Sequence, residues 1–122
     1  MTRIANEIAK TENAKVVVTG DNLAQVASQT LDNLSRIYEI SSIPIIAPLI
    51  GMNKNEIIEL AKKIGTYEIS ILPYQDCCSL LISPHPVTRC KRELIEEFEK
   101  SFSIDKLVRN ALKKSYVITF NL

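Results

Sequence analysis

A glycine and an aspartate, Gly20 and Asp21, stand where an apolar run gives way to polar residues. Residues 16–19 before them are all apolar or β-branched, which is typical of a parallel β-strand covered on both faces. Asp21 and Asn22 are frequent helix-capping types, so we expect a helix to begin there and to run to about Ile37. Ligands of open α/β sheets bind beyond the carboxyl ends of strands, beside helix N-termini. This stretch is therefore a candidate nucleotide-binding crevice.

Three amide side chains repeat at helical spacing after the turn, and they are expected to share one face of that helix: Asn22, Gln25 and Gln29. The opposite stripe, expected to be buried, consists of Leu23, Ala27, Leu31 and Leu34. Gly20 can adopt backbone angles closed to other residues and lets a ligand approach the main chain. The alternative is that Gly20 only makes a turn and that the amides form a solvated face. The residues alone leave both interpretations open.

Lys54 is the one residue that breaks an otherwise regular helix pattern. That helix is predicted to begin after Asn53, which has capping-box spacing with Glu56, and to end at Gly65 as the C′ residue. A lysine in the first helical turn opposes the helix dipole by roughly 0.3–1 kcal/mol. The cost is offset if the lysine and the helix N-terminus together bind an anion. A solvated lysine on a flexible arm fits the sequence equally well.

Two adjacent cysteines, Cys77 and Cys78, follow Asp76 in a turn-rich segment. A cysteine in such a loop is more exposed and more reactive than one in a core strand. A cysteine is also a common small buried hydrophobe, so the residue type alone does not assign a role. Neither these two nor Cys90 forms a C-x-x-C pair, and the single histidine, His85, has no ligand-type neighbours. No metal site is predicted for this chain.

The remaining segments alternate between helix and strand patterns, which indicates an α/β fold with three layers. Helices are expected over 1–10, 91–100 and 104–113, the last capped by Ser103, and extended segments over 43–50, 66–72 and 116–120. No linker or repeat divides the chain, so residues 1–122 are expected to form a single domain. Few good strands and a helix that starts uncapped at the first residue suggest that the sheet is an incomplete half.

Composition argues against several classes of function. The 122 residues carry 15 basic and 14 acidic side chains, and a net charge of +1 gives no basic surface for general binding of nucleic acid. The apolar run at 43–50 is too short to span a bilayer and contains two prolines. Charged residues interrupt the N-terminal segment, which therefore lacks the pattern of a signal peptide. We expect a cytoplasmic protein that does not associate with membranes.

Three segments together resemble those of one family, the tRNA sulfurtransferases that make 4-thiouridine and are also linked to thiamine thiazole synthesis. They are T-G-D-N-L-A-Q-V-A-S-Q-T-L at 19–31, P-L-I-G-M-N-K-N-E-I-I at 48–58 with I-G-T at 64–66, and D-C-C at 76–78 followed by P-V-T at 86–88. In order and spacing they resemble the second half of that family's ATP-pyrophosphatase domain, and the resemblance covers nearly the whole chain. Ala24 departs from the pattern, since the family usually has glycine there.

The resemblance implies a Rossmann-like adenine nucleotide α-hydrolase fold that binds ATP. In this family ATP adenylates the oxygen of a tRNA uridine with assistance from Mg²⁺, pyrophosphate is released, and a cysteine persulfide supplies the sulfur. By similarity, Gly20 and Gln29 fall on nucleotide-contacting positions. Asp21 and Gln25, from the same predicted crevice, are further candidates for cofactor binding.

Two catalytic residues are implied in the same way. Lys54 falls on a lysine that the family needs for adenylation, and Cys78 falls on the active-site cysteine of this domain. The second cysteine of the pair matches the family's motif better than Cys77 does. The family's partner thiol lies in a rhodanese domain or in an upstream C-x-x-C pair. Cys78 is therefore expected to act with a thiol from outside residues 1–122.

The resemblance also implies parts that the chain does not contain. The family's phosphate-binding loop, S-G-G-x-D-S, and its N-terminal RNA-binding region both precede the matched segments, and no rhodanese domain follows residue 120. The chain thus resembles the tail of an archaeal-type, rhodanese-free member, and we expect it to be inactive alone. Its expected partners are the missing N-terminal half or a second copy of itself, a tRNA bound through a region outside this chain, and a persulfide donor such as a cysteine desulfurase.

Two other functions stay open at this point. A related nucleotide α-hydrolase that acts on another acceptor would keep Gly20 and Asp21 without needing Cys78. A non-catalytic α/β module would instead oligomerise through the sheet edge that its missing half should cover. Gln29, the P-L-I-G stretch and the D-C-C segment favour the thiouridine-forming enzyme over the first alternative.

Overall fold

The structure, a computed structural model, describes residues 1–23, 26–74 and 87–120. Within these ranges the elements are, in chain order, α1 (Thr2–Thr11), β1 (Val17–Val18), α2 (Leu31–Glu39), β2 (Ile45–Ile46), α3 (Lys54–Lys63), α4 (Tyr67–Ser70), α5 (Arg92–Lys100) and α6 (Ile104–Lys113). The predicted site residues Gln25 and Cys78, together with Cys77, lie outside the described residues.

The two strands form a small parallel sheet, with Val17 opposite Ile45 and Val18 opposite Ile46. The Val17 amide donates to the Pro44 carbonyl at 2.9 Å. Pro44 needs no N–H there, because it contributes only its carbonyl. The prediction of an α/β chain with parallel strands is confirmed, whereas the full three-layer Rossmann-like sheet stays a prediction.

Helix α1 packs against β1 and α6, so it joins the sheet to the C-terminal helices. Its Arg3 guanidinium contacts the Glu99 carboxylate on α5 at 2.6 Å. On the buried side of α1, Asn6 Oδ1 accepts a hydrogen bond from Ser41 Oγ at 2.8 Å. The helix expected at the start of the chain is confirmed. Among the described helices, none has the length and hydrophobicity needed to cross a membrane.

The helix expected to begin at Asp21 is wrong in its start, because α2 begins at Leu31. Thr30 caps α2, and its side chain accepts a hydrogen bond from the Asn33 amide. The Leu23 amide donates instead to Ile50 across the chain, so tertiary hydrogen bonds replace a helical turn there. The predicted apolar stripe is right for Leu34, which is 3% exposed, and wrong for Leu31, which is 72% exposed.

Helix α3 follows its prediction closely. The Asn53 side chain accepts from two amides of the first turn while the Glu56 carboxylate accepts from the Asn53 amide, which completes the capping box. Gly65 follows the helix with φ of 76°, the left-handed conformation expected of a C′ glycine.

Two predicted extended segments are wrong. Residues 66–72 contain the short helix α4, and the Lys62 ammonium lies over the ring of its Tyr67, 5.4 Å from the ring centroid. Residues 116–120 form no strand and are exposed, since no described strand lies beside them to pair with. The helices expected near 91–100 and 104–113 are confirmed as α5 and α6, although the Ser103 side chain makes no capping hydrogen bond.

The interior of the described chain is unusually polar. Its buried hydrophobic residues are Ala9 and Leu34, whereas three asparagines, Asn6, Asn22 and Asn33, are also buried. Buried amides must have partners, because an unpaired polar group costs free energy on leaving water. Hydrogen bonds of Asn22 and Asn33 connect the loops around the predicted site, whereas Asn6 connects α1 to the loop after α2.

Candidate active site

Asp21 is held by two hydroxyl groups at the end of β1. Thr19 Oγ1 donates to Asp21 Oδ2 at 2.8 Å, and the Tyr38 hydroxyl from α2 donates to the same oxygen at 3.1 Å. Burial raises the pKa of Tyr38, and the hydrogen bond to Asp21 and its negative charge raise it further, although the Thr19 hydroxyl acts in the opposite direction. The carboxylate predicted to face a nucleotide thus joins the end of the strand to α2.

Gly20 is exposed, and its backbone conformation does not require a glycine. In the described chain the positive φ angles belong to Asn13 and Gly65, so Gly20 does not use the backbone angles that only glycine adopts readily. A Cβ added at Gly20 would meet no atom within 4 Å. Space is therefore open beside this backbone, as close approach by a ligand requires.

Asn22 ties the loop after β1 to the turn that precedes α3. Its Nδ2 donates to the Leu49 carbonyl and, at 2.6 Å, to the Met52 carbonyl. The Leu23 amide adds a backbone hydrogen bond to Ile50 at 3.0 Å. The P-L-I-G stretch is therefore a turn fastened to the candidate nucleotide loop.

Gln29 lies on the other side of Asn22. Its Oε1 accepts from the Asn22 backbone amide at 3.3 Å, although the two residues do not share a helix as predicted. Gln29 and Asp21 both line a cavity of about 380 Å³ between α2, the loop at 26–30 and the segment from Val87 to Ile95. That volume falls in the range of small-molecule pockets.

Lys54 is the first residue of α3 and is exposed. The amides of Asn55 and Glu56 already donate to Asn53 Oδ1, at 2.9 and 3.1 Å. An anion bound here would therefore meet mainly the lysine ammonium, and the expected combination with a free helix N-terminus is only partly available. Lys54 follows Met52 by two residues, and the Met52 carbonyl accepts a hydrogen bond from Asn22 in the loop between Gly20 and Gln29.

A second buried asparagine fastens the segment that follows the cysteines. Asn33 Nδ2 donates to Ser28 at 2.8 Å and to Val87 at 2.7 Å, and Asn33 Oδ1 accepts from the Cys90 amide at 2.8 Å. Thr30 Oγ1 donates to the Thr88 carbonyl at 2.7 Å. The first turn of α2 thus holds residues 87–90.

Sequence reasoning did not single out Asn22 as a connecting residue or Asn33 at all. A polar residue beside an apolar helix stripe, as Asn33 is beside Leu34, is the signal that points to a buried amide. Within the described residues no group of three or more His, Cys, Asp or Glu is placed to bind a metal ion.

The sequence matches the model of the family described as thiamine biosynthesis protein (ThiI) over residues 1–104. The chain belongs to the ThiI family. It is 44% identical over 119 residues to a probable tRNA sulfurtransferase of Acetivibrio thermocellus and 46% identical over 120 residues to one of Thermus thermophilus. Each alignment covers 98% of this chain and 30% of the relative. The chain therefore spans about three tenths of the length of these ThiI-family proteins.

The fold also matches a solved structure, that of a 4-thiouridine synthetase in complex with RNA and with bound ATP. The TM-score is 0.84 at 44% sequence identity, and the match covers 92% of this chain and 29% of that one. The structural likeness thus extends over nearly all of this member of the ThiI family.

Proposed function

We propose that this chain forms the C-terminal portion of the ATP-pyrophosphatase domain of a tRNA sulfurtransferase that makes 4-thiouridine. The observation that carries the proposal is the hydrogen-bonded connection through Asn22, which joins the loop of Gly20 and Gln29 to the turn before Lys54. These hydrogen bonds connect the two segments that carry the residues which the resemblance assigns to ATP contact and to adenylation. The likeness to a 4-thiouridine synthetase that holds ATP and RNA supports the same function.

The described residues fit a nucleotide at the end of β1. Open space beside Gly20 and the half-buried Gln29 amide would receive it, and Asp21 is the neighbouring candidate. Gln25, which lies outside the described residues, stays a candidate from the sequence alone. Bound ATP supplies the adenylyl group, and the uridine oxygen attacks its α-phosphorus while pyrophosphate leaves. Lys54 would stabilise negative charge that develops during this step. Mg²⁺, which we expect with ATP, would depend on the phosphates and on ligands outside the described residues.

Sulfur transfer is assigned to Cys78 by resemblance. The terminal sulfur of a donor persulfide bonds to the activated uridine carbon, the carbon–oxygen bond breaks, and AMP leaves with that electron pair. The Cys78 thiolate then attacks the donor sulfur, which releases the thiolated uridine and leaves a disulfide between the donor and Cys78. A dithiol reductant restores both thiols. The donor persulfide would come from an enzyme of the cysteine desulfurase class.

The rest of the enzyme would cover apolar surface that this chain exposes. Val18 and Ile46 of the sheet and Ile8 of α1 are among its exposed large hydrophobic residues. Beside them lies a cavity of about 580 Å³ between α1, β1 and α2. We assign this surface to the N-terminal half that carries the phosphate-binding loop, with a second copy of the chain as the alternative. The rhodanese-free type, the link to thiamine synthesis in this protein, the cytoplasmic location and tRNA binding through another region stay predictions.

The experiment uses a completed enzyme, in which this chain replaces the matching segment of the Thermus thermophilus relative. Lys54→Ala is compared with Lys63→Ala, a matched change at the other end of the same exposed helix. We expect Lys54→Ala to lower kcat and kcat/KM for tRNA-dependent pyrophosphate release together, since the interaction forms mainly in the transition state. Lys63→Ala should retain full turnover. Full turnover by Lys54→Ala would remove Lys54 from the adenylation step. Pyrophosphate release without 4-thiouridine would favour another acceptor.

A further inference from the structure

Asn22 contacts both parts of the candidate active site, through different atoms. Its backbone amide donates to Gln29 Oε1, and its side-chain Nδ2 donates to the Leu49 and Met52 carbonyls. We propose that Asn22 is a positioning residue that sets the place of Lys54 relative to Gln29. This inference rests on the proposed function, because it assigns Asn22 to the adenylation step.

The contacts of the Asn22 side chain fix the turn at 49–52 from within the fold. Asn22 is only 5% exposed, so its hydrogen bonds are little weakened by competing water. Both hydrogens of Nδ2 are used, and the Leu49 carbonyl also accepts from the Met52 amide at 3.0 Å. No donor among the described residues reaches Asn22 Oδ1. Within the part of the chain that the structure describes, the side chain therefore acts through Nδ2 alone.

The link from this turn to the lysine is short and rigid. Only Asn53 separates Met52 from Lys54, and the capping box with Glu56 fixes the conformation of Asn53. The helix dihedral angles begin at Lys54 itself. A displaced Met52 carbonyl would thus move the lysine rather than be absorbed by a flexible segment. A displacement of about 1 Å at a catalytic group can lower a rate by about a hundredfold.

A side-chain substitution separates the two contacts of Asn22. Asn22→Ala removes both hydrogen bonds to the turn but leaves the backbone amide that donates to Gln29. ATP binding should therefore be retained while the lysine is displaced. A merely structural asparagine would lower kcat and raise the ATP KM together, or change neither.

Asn6 provides the matched control. It is also 5% exposed, and its side chain accepts from Ser41 between α1 and the loop after α2, away from the turn before Lys54. Asn6→Ala thus removes a buried amide and a hydrogen bond without touching the candidate site. Asn22→Ser is a milder variant, since its hydroxyl can donate to one carbonyl at most.

The first measurement is amide hydrogen exchange in the isolated 122-residue chain. Asn22→Ala should raise exchange at Met52 and in the first turn of α3 by at least about tenfold relative to Asn6→Ala, because the turn loses its side-chain support. Equal exchange in the two variants would overturn the proposal. This measurement does not depend on activity, so its result stands even if the proposed function fails.

The second measurement is steady-state adenylation in the completed enzyme. Asn22→Ala should lower kcat by about tenfold or more with the ATP KM within about twofold, and Asn22→Ser should lie between Asn22→Ala and the unchanged enzyme. Asn6→Ala should retain kcat. A kcat for Asn22→Ala equal to that of Asn6→Ala, or a loss expressed only in KM, would overturn the proposal. If the completed enzyme without any substitution forms no adenylate, that result would count against the proposed function instead. The hydrogen-exchange result would then decide whether Asn22 supports the turn.

Discussion

Asn33→Ala is expected to detach the segment that follows the cysteines from α2. The Asn33 side chain makes three hydrogen bonds of 2.7 to 2.8 Å, to Ser28, Val87 and the Cys90 amide. Each such bond contributes about 1 kcal/mol net, and buried partners left unpaired cost more, so the free energy of unfolding should fall by roughly 2–4 kcal/mol. Asp32→Asn is the control at the adjacent position. Its ion pair with Arg89 is exposed at 3.4 Å, so its loss should cost less than about 1 kcal/mol.

The assay combines urea denaturation, followed by circular dichroism, with amide hydrogen exchange. The Cys90 amide lies before α5 and donates to Asn33 Oδ1, so its protection should disappear in Asn33→Ala and persist in Asp32→Asn. Thr30→Asp adds a second check, because aspartate can cap α2 but cannot donate to the Thr88 carbonyl. Equal stability of the two main variants, with unchanged exchange at Cys90, would refute the hydrogen-bond account.

Three further outcomes are expected. Gly20→Ala should leave thermal stability unchanged or slightly raised, because φ at Gly20 is not positive and the added Cβ would meet no atom. The same substitution should raise the ATP KM of the completed enzyme. An unchanged KM would show that no ligand approaches this backbone. Cys78→Ser should abolish 4-thiouridine formation and leave ATP binding unchanged, whereas Cys90→Ser should change neither property. Equal losses of 4-thiouridine in the two variants would remove the dedicated role of Cys78. Tyr38→Phe should cost about 1 kcal/mol near neutral pH. Because the folded chain raises the pKa of Tyr38, this stabilising contribution is complete below about pH 10 and is lost as the pH rises further. The difference in free energy of unfolding between the unchanged chain and Tyr38→Phe should therefore shrink at high pH. A difference that grows with rising pH would contradict the hydrogen bond from Tyr38 to Asp21.

Local features of the fold could be predicted from the sequence. The cap at Asn53, its partner Glu56 and the closing Gly65 lie within thirteen residues of one another, and each follows from its own backbone chemistry. The valine strand β1 and its parallel partner could also be predicted. Residues 116–120 have strand composition but no described neighbour to pair with, and composition alone does not supply one.

The supports of the candidate site could not be predicted, because they join residues that are distant in the chain. Asn22 reaches carbonyls 27 and 30 residues away, and Asn33 reaches a carbonyl 54 residues away. A capping residue type at Asn22 favoured a helix, but the tertiary hydrogen bonds to the turn at 49–52 are stronger determinants there. Motif resemblance singled out Gly20, Gln29 and Lys54 as candidates without indicating which hydrogen bonds connect the segments that carry them.

The most direct test of the central claim is complementation with the part of the Thermus thermophilus relative that this chain does not span. Pyrophosphate release from ATP and 4-thiouridine in tRNA are measured for this chain alone, for the Thermus thermophilus relative without its matching segment, and for the chimera that contains both. This chain alone should be inactive, because it contributes Gly20, Gln29, Lys54 and Cys78 but no phosphate-binding loop. The truncated relative should also be inactive, whereas the chimera should give both products. Robust pyrophosphate release by the isolated chain, or a chimera that folds and binds ATP but never thiolates tRNA, would contradict the account.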